Sequence, residues 1–313
     1  MRYGRSIIIF FLLIATQAFS LSPPSKPTGW DDWTFGQKIA WRGLNLDPRI
    51  PYGPLVDKLQ VKQIVRDEMQ VAKVFFATDD PSHIFIKKLP TTFVMKVNNS
   101  SGKSLLIKNG MLMKMKNQRV ESSSKKCMIS FLRSCAENWL VDVHVANKEK
   151  QYGLVKPMIF FEEYLENITM EVELYFFNGK VRLISLFSND EFTGDVTASY
   201  YDEDWKIFDV THPMNSCFCD YRVNTKPIEK PPYIDRLIAF GERFAEKIDH
   251  VRIDFFVRGQ DIYFGEFTFT TEGGNNLDHL NTMMESYWDF PDPNNPLVNP
   301  YLDDLLLRIV EDS

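Results

Sequence analysis

The segment Val251–Phe269, VRIDFFVRGQDIYFGEFTF, constrains this chain more than any other. Two runs rich in β-branched and aromatic residues flank Arg258-Gly259-Gln260-Asp261, the signature of an antiparallel hairpin. Arg252, Asp254 and Glu266 lie inside those apolar runs. Burying such charges is costly unless they pair or bind a cation. Because side chains alternate between sheet faces, the loop length decides which of them meet. A two-residue loop, Gly259-Gln260, sets Asp254 opposite Gly265 and turns the two acids to opposite faces. A three-residue loop, Gly259–Asp261, sets Asp254 opposite Glu266 and Arg252 opposite Thr268. The longer loop gives an apolar face of Val251, Ile253, Phe255, Val257, Tyr263, Gly265, Phe267 and Phe269. It leaves a polar face of Arg252, Asp254, Glu266 and Thr268, with Phe256 and Phe264 nearer the turn, and it is the register expected. Opposed side chains sit about 5 Å apart. Two carboxylates that close repel unless a cation bridges them or one keeps its proton. Hard oxygen ligands suit magnesium carrying substrate phosphates. An ion pair of Arg252 with Asp254 or Glu266 explains the hairpin alone equally well.

Upstream segments supply complementary charge. Lys96 sits inside the predicted strand Phe93–Val97, just before the small-residue loop Asn98–Ser104. A lysine there can meet a phosphate, and the loop offers close-packed N–H groups through Ser100, Ser101 and Gly102. A lysine reaching solvent from an edge strand fits too, and the loop lacks the spacing of a Walker P-loop. Glu162 and Glu163 close the buried-type strand Val155–Leu165. They can pair with a lysine, flank a nucleotide, or run out to solvent. Asp57 caps a predicted helix with Val61, Ile64, Val65 and Met69 on one side. Asn178-Gly179 predicts a hairpin over Val172–Phe187, and Pro232–Ile248 reads as an amphipathic helix. Trp30–Pro54 reads as irregular packing, Lys114–Lys126 as a solvated basic surface, and Leu302–Val310 as a helix. Strands, hairpins and helices together indicate an α+β fold.

In this order the phrases "DKLQVKQIV", "LPTTFVMKVNNSSG", "VKPMIFFEEYL", "FNGKV" and "RIDFF…IYFGEFTF…GG" resemble the TupA-like group of the ATP-grasp superfamily, over about Leu55 to Gly274. The resemblance implies an ATP-grasp fold, two α+β subdomains gripping ATP between them. It implies that Lys58 and Lys96 contact ATP phosphates or frame the adenine, as does the loop at Ser100, Ser101 and Gly102. It implies that backbone near Glu163, Tyr164 and Leu165 binds adenine with Glu162 or Glu163 close by, and that Glu171 lies near the ribose. Asp254, Glu266 and Thr268 would hold Mg2+, and Arg252 would steady the transferred phosphate or an oxyanion. The superfamily activates a carboxylate as an acyl phosphate, which an amine or similar nucleophile attacks. The group is associated with cell-surface polysaccharide and teichuronopeptide synthesis. The implied partners are therefore ATP and a carboxylate or glycopolymer acceptor. Asn99 stands where the group has His, and Glu173 where a Lys is expected, which removes a phosphate contact. A degenerate nucleotide-binding member and a secreted glycan-binding or glycosyltransferase-like protein are the alternatives.

Bulk properties set the context. The chain has 313 residues, 44% hydrophobic and 14% aromatic, enough for a sizeable core. Its net charge of −6 argues against a nucleic-acid binder. Arg2 and Arg5 before the apolar run Ile7–Ala15, with a cleavage-type stretch near Ala18, predict a targeting segment over 1–20. It directs the chain to the secretory pathway, or to a plastid as part of a bipartite presequence. Left uncleaved, it would be the chain's membrane contact. The expected organisation is an irregular leader over 21–54, then an ATP-grasp unit over 55–285, then a tail and helix over 286–313. Within the unit, a lysine and loop subdomain spans about 90–165 and a metal-hairpin subdomain about 166–285. The leader is too short for the N-terminal domain of larger ATP-grasp enzymes. Cys127, Cys135, Cys217 and Cys219 lack metal-site spacing, and sequons fall at Asn98, Asn99 and Asn167.

Overall fold

A computed structural model describes residues 22–113, 125–142, 147–189, 196–208, 221–275, 277–292 and 299–311. The expected targeting segment over 1–20, most of the basic stretch before Lys126, and Cys217 and Cys219 lie outside the described residues. In chain order the strands are β1 (Gln70–Val71), β2 (Val74–Thr78), β3 (Phe93–Val97), β4 (Ser104–Lys108), β5 (Met111–Met113) and β6 (Ile159–Glu162). They continue with β7 (Met170–Phe177), β8 (Lys180–Asn189), β9 (Val196–Tyr201), β10 (Tyr221–Val223), β11 (His250–Arg258) and β12 (Asp261–Thr268). One sheet has the order β2-β6-β3-β4-β5 and the other β1-β12-β11-β7-β8-β9-β10. Helices flank both, so the fold is α+β. Among the described residues no helix is long and apolar enough to cross a membrane.

The smaller sheet follows from alternation in Phe93–Val97. Phe93, Met95 and Val97 are fully buried, whereas Val94 and Lys96 turn to the other face. The buried side packs on Met128, Leu132 and Ala136, one face of the helix Lys125–Val141. The polar composition upstream of Lys126 had concealed that helix. Lys96 thereby leaves its own core and shares a face with Phe160 and Glu162 of β6.

The larger sheet buries Val172, Leu174, Phe176, Val251, Ile253 and Phe255 against Leu237, Phe240 and Phe244 of the helix Ile234–Ala245. The predicted β7–β8 hairpin forms, with both Asn178 (φ 49°) and Gly179 (φ 77°) left-handed, as a type I′ turn requires. The opposite face of this sheet is covered at one end by Trp30, Phe35, Ile39, Leu280 and Trp288. Here the expectation of irregular packing over Trp30–Pro54 is corrected. Phe35–Leu44 is an α-helix, opened by a capping box in which Thr34 and Gln37 bond reciprocally, and Tyr52–Val56 is a short helix.

The hairpin Val251–Phe269 holds the main correction. Arg258 pairs with Asp261, so the loop has two residues, Gly259 and Gln260, and not three. Yet Arg252 pairs with Thr268, as the three-residue loop demanded. A β-bulge reconciles the two: between the Ile253–Phe267 and Phe255–Phe264 pairs, Asp254 stands against both Gly265 and Glu266. The bulge exchanges the faces near the turn. Ile262 and Phe264 join the apolar core, and Tyr263 lies on the opposite face, where Arg258 donates a hydrogen bond to its hydroxyl. A Cβ on Gly265 would fall 2.9 Å from the Asp254 carbonyl oxygen and 3.1 Å from the Phe256 ring, so the bulge needs glycine.

Candidate functional site

The site forms where the polar face of β7, β11 and β12 meets the ends of β3 and β6. Three short elements bring the lysines in. Asp57 accepts hydrogen bonds from the N–H groups of Leu59 (2.8 Å) and Gln60 (3.3 Å) and from Asn98 Nδ2 (3.0 Å). The Lys58 N–H donates to the Asn98 carbonyl at 3.2 Å. The start of the helix Gln60–Val65 is thus strapped to the end of β3. Asn98 is 1% exposed and also bonds Lys156 O and Met158 N, so the sequon there is closed in the folded chain.

Lys58, in the turn before the helix Gln60–Val65, pairs with Glu266 of β12. Burial opposes the Lys58 charge, but Glu266 outweighs it and raises the ammonium above the usual lysine range. Burial likewise works against the Glu266 carboxylate, and Lys58 holds it well below the usual range. Glu162, 3% exposed, is bracketed by Lys96 Nζ at 2.6 Å and Lys62 Nζ at 3.0 Å. Burial pulls Lys62 down, offset in part by Glu162. Lys62 was not foreseen, although its spacing four residues after Lys58 puts the two within a helical turn.

On the hairpin, Arg252 forks onto Asp254, with Nε to Oδ1 and Nη2 to Oδ2 both 2.7 Å. Its Nη1 lies 3.4 Å from Glu173 Oε1, and its Nη2 lies 3.5 Å from Thr268 Oγ1. Thr268 in turn faces Glu266 Oε1 at 3.5 Å. The ion-pair reading of the hairpin is therefore realised, and the acids that could hold a metal share the same face. Burial and the Glu173 charge push Asp254 up despite Arg252.

Glu173 is the second residue the sequence reading undervalued. It pairs with Asp254 in register, receives a 2.9 Å hydrogen bond from Tyr175 OH, and joins Glu171 and Asp254 in a group in which one carboxylate oxygen of each lies within 4.8 Å of the others. The i, i+2 spacing of Glu171 and Glu173 on a strand was the available signal. Burial first, then the Glu173 and Asp254 charges, push Glu171 up to about 8.

The remaining expected residues lie at the rim. Ser100 is buried and its hydroxyl donates to Ser101 O at 3.2 Å, whereas Ser101 and Gly102 are exposed, Gly102 with φ +69°. Glu163, Tyr164 and Leu165 follow the end of β6 and are half-buried. The Glu163 N–H is already bonded to Lys73 O (2.9 Å), so a base bound there would meet the backbone beyond it.

The family model described as TupA-like ATPgrasp matches residues 37–284. Among solved structures, the D-alanine–D-alanine ligase of Bacillus anthracis is 16% identical, with 82% of this chain and 69% of that chain aligned, at a TM-score of 0.40. A RiPP-associated ATP-grasp ligase of Chryseobacterium gregarium, in complex with ADP and a leader and core peptide, is 15% identical over 95% of this chain and 72% of its own, at 0.37. The ATP-grasp ligase PsnB, complexed with a minimal precursor, Mg and ADP, is 11% identical over 81% and 58%, at 0.35. No curated protein matches the chain. At these TM-scores the structural likenesses add no functional argument.

Proposed function

Because the chain belongs to the TupA-like ATP-grasp family, we propose that it is an ATP- and magnesium-dependent ligase that activates a carboxylate. Its proposed setting is the synthesis of a cell-surface or extracellular polysaccharide, in the secretory pathway or a plastid. The observation that carries the reading is the meeting of Lys58 with Glu266 of the hairpin beside that of Lys62 and Lys96 with Glu162 of β6. Three ammonium groups face two carboxylates there, Glu162 and Glu266, leaving positive charge for a phosphate.

The donor set fits magnesium. Asp254, Glu266 and Thr268 are hard oxygen donors on one face, and among the described residues Glu266 Oε1 has only the 3.5 Å Thr268 contact. These residues would hold the ion, which when bound neutralises phosphate charge. Arg252, fixed by Asp254, presents its charge beside them to the transferred group. Lys58 and Lys96 would contact the phosphates, the segment Glu163–Leu165 the adenine, and Glu171 the ribose. No protein nucleophile is required, because positioning and charge neutralisation suffice.

Thermal denaturation with magnesium-ATP tests this. At a hundredfold excess over Kd, stabilisation of about 2.7 kcal/mol is expected, and Asp254→Asn should abolish it. No response to magnesium-ATP, with a response to nucleotide sugars, would refute the proposal. ADP release on adding carboxylate and amine acceptors separates a ligase from a protein that only binds ATP.

A further inference from the structure

We propose that Glu171, Glu173 and Asp254 bind a divalent cation in the absence of nucleotide, with the Ser185 hydroxyl as a neutral oxygen beside them. The site goes beyond the ATP reading. It shares Asp254 with the residues assigned to magnesium there but neither Glu266 nor Thr268.

Register builds it. Asp254 on β11 opposes Glu173 on β7, and Glu173 opposes Ser185 on β8, so the three side chains form a row on one face. Glu171, two residues before Glu173, adds a carboxylate to the same face. One oxygen from each of the three acids lies within 4.8 Å of the others. Two ligands of one ion can be separated by at most twice the bond length. That is about 4.6–5.2 Å for calcium and about 4.0–4.2 Å for magnesium. A calcium-sized ion therefore fits the acids as they stand, and a manganese ion fits once they draw slightly together.

Two further observations single this group out from an ordinary acidic patch. Ser185 is 0% exposed and its Oγ has no hydrogen-bond partner, although it projects beside Glu173. A buried hydroxyl without a partner is uncommon, and a bound ion, directly or through a water, would supply one. The neighbouring acids are matched by ammonium groups in a way these three are not. Glu266 is answered by Lys58, and Glu162 by Lys62 and Lys96. Among the described residues Arg252 pairs with Glu173 and Asp254 but not with Glu171, whose proton a divalent ion would displace.

The test is a Mn2+ titration of the full, nucleotide-free chain, followed by loss of the free-ion electron paramagnetic resonance signal. Wild type should show one saturable site from which Ca2+ displaces Mn2+. Glu173→Gln and Glu171→Gln, near-isosteric changes checked for folding by circular dichroism, should weaken it on the order of tenfold or more. Ser185→Ala should weaken it less, and Glu266→Gln should leave it within about threefold. Absence of saturable Mn2+ binding in wild type overturns the inference, as does loss in Glu266→Gln with retention in Glu173→Gln. The two readings fail separately. Magnesium-ATP stabilisation without Mn2+ binding removes only this one, and Mn2+ binding without any ATP response removes only the ligase proposal.

Discussion

Asp249→Ala should be among the most damaging single substitutions in the described fold. Asp249 precedes β11 and accepts both terminal nitrogens of Arg42, from the helix Phe35–Leu44, and Trp288 Nε1 at 3.0 Å. Both side chains of the pair are nearly sealed, at 3% and 2% exposure. Burial works against the Arg42 charge, but Asp249 and Tyr52 outweigh it and the guanidinium stays protonated. Removing the carboxylate strands a buried cation whose remaining support is the Tyr52 hydroxyl and the faces of Tyr52 and Trp288. Breaking such a pair on one side costs about 3–5 kcal/mol. In a chain of this size about 2 °C is lost per kcal/mol, so the melting temperature should fall by about 6–10 °C. Tryptophan emission is the natural probe, because Trp30 and Trp41 pack in the same cluster as Trp288. The double variant Arg42→Met with Asp249→Leu should recover most of the loss, since it removes the stranded charge together with its partner. A loss under about 1 kcal/mol in Asp249→Ala, or a double variant as unstable as the single one, would refute the reasoning.

Other outcomes follow from the site. Glu171 holds its proton to about 8 in the folded chain against 4.5 for an ordinary glutamate. Between those values the unfolded chain releases the proton first, so stability is full below the lower value and declines as pH rises through the upper. Glu171→Gln should flatten that decline and exceed wild type in stability at about pH 8 in urea melts without divalent cations. Gly265→Ala should cost about 1–3 kcal/mol, because its Cβ would press on backbone at Asp254 that cannot yield. The same variant should also weaken magnesium-ATP stabilisation, by displacing Glu266 relative to Asp254.

What the sequence disclosed and what it withheld divide along physical lines. The alternation in Phe93–Val97, the Asn178-Gly179 turn and the polar row Arg252, Asp254, Glu266 and Thr268 were legible, because each is a local pattern with one structural solution. The route to that polar row was not. Loop length and face separation pointed to different registers, and Gly265 was the mark of a bulge that could satisfy both. The helix Phe35–Leu44 was overlooked although Thr34 and Gln37 carry its capping box, since its buried Lys38 and Arg42 break the expected apolar stripe. Glu173 was read against its family position as a lost lysine. Its role emerges only when β7 and β11 are paired, a nonlocal contact that no single segment announces.

The bulge at Gly265-Glu266 lets one strand answer two demands of opposite parity. Near the turn, even-numbered Ile262 and Phe264 must enter the core; beyond it, odd-numbered Phe267 and Phe269 must do so. A regular strand could meet one demand only, either burying Tyr263 in place of Phe264 or sending Glu266 into the core. The extra residue resets the phase between them, so the turn and the acids can vary independently. A three-residue turn with Gly265 kept as an ordinary strand residue would also set Asp254 against Glu266, and its cost would fall on the aromatic packing nearest the turn.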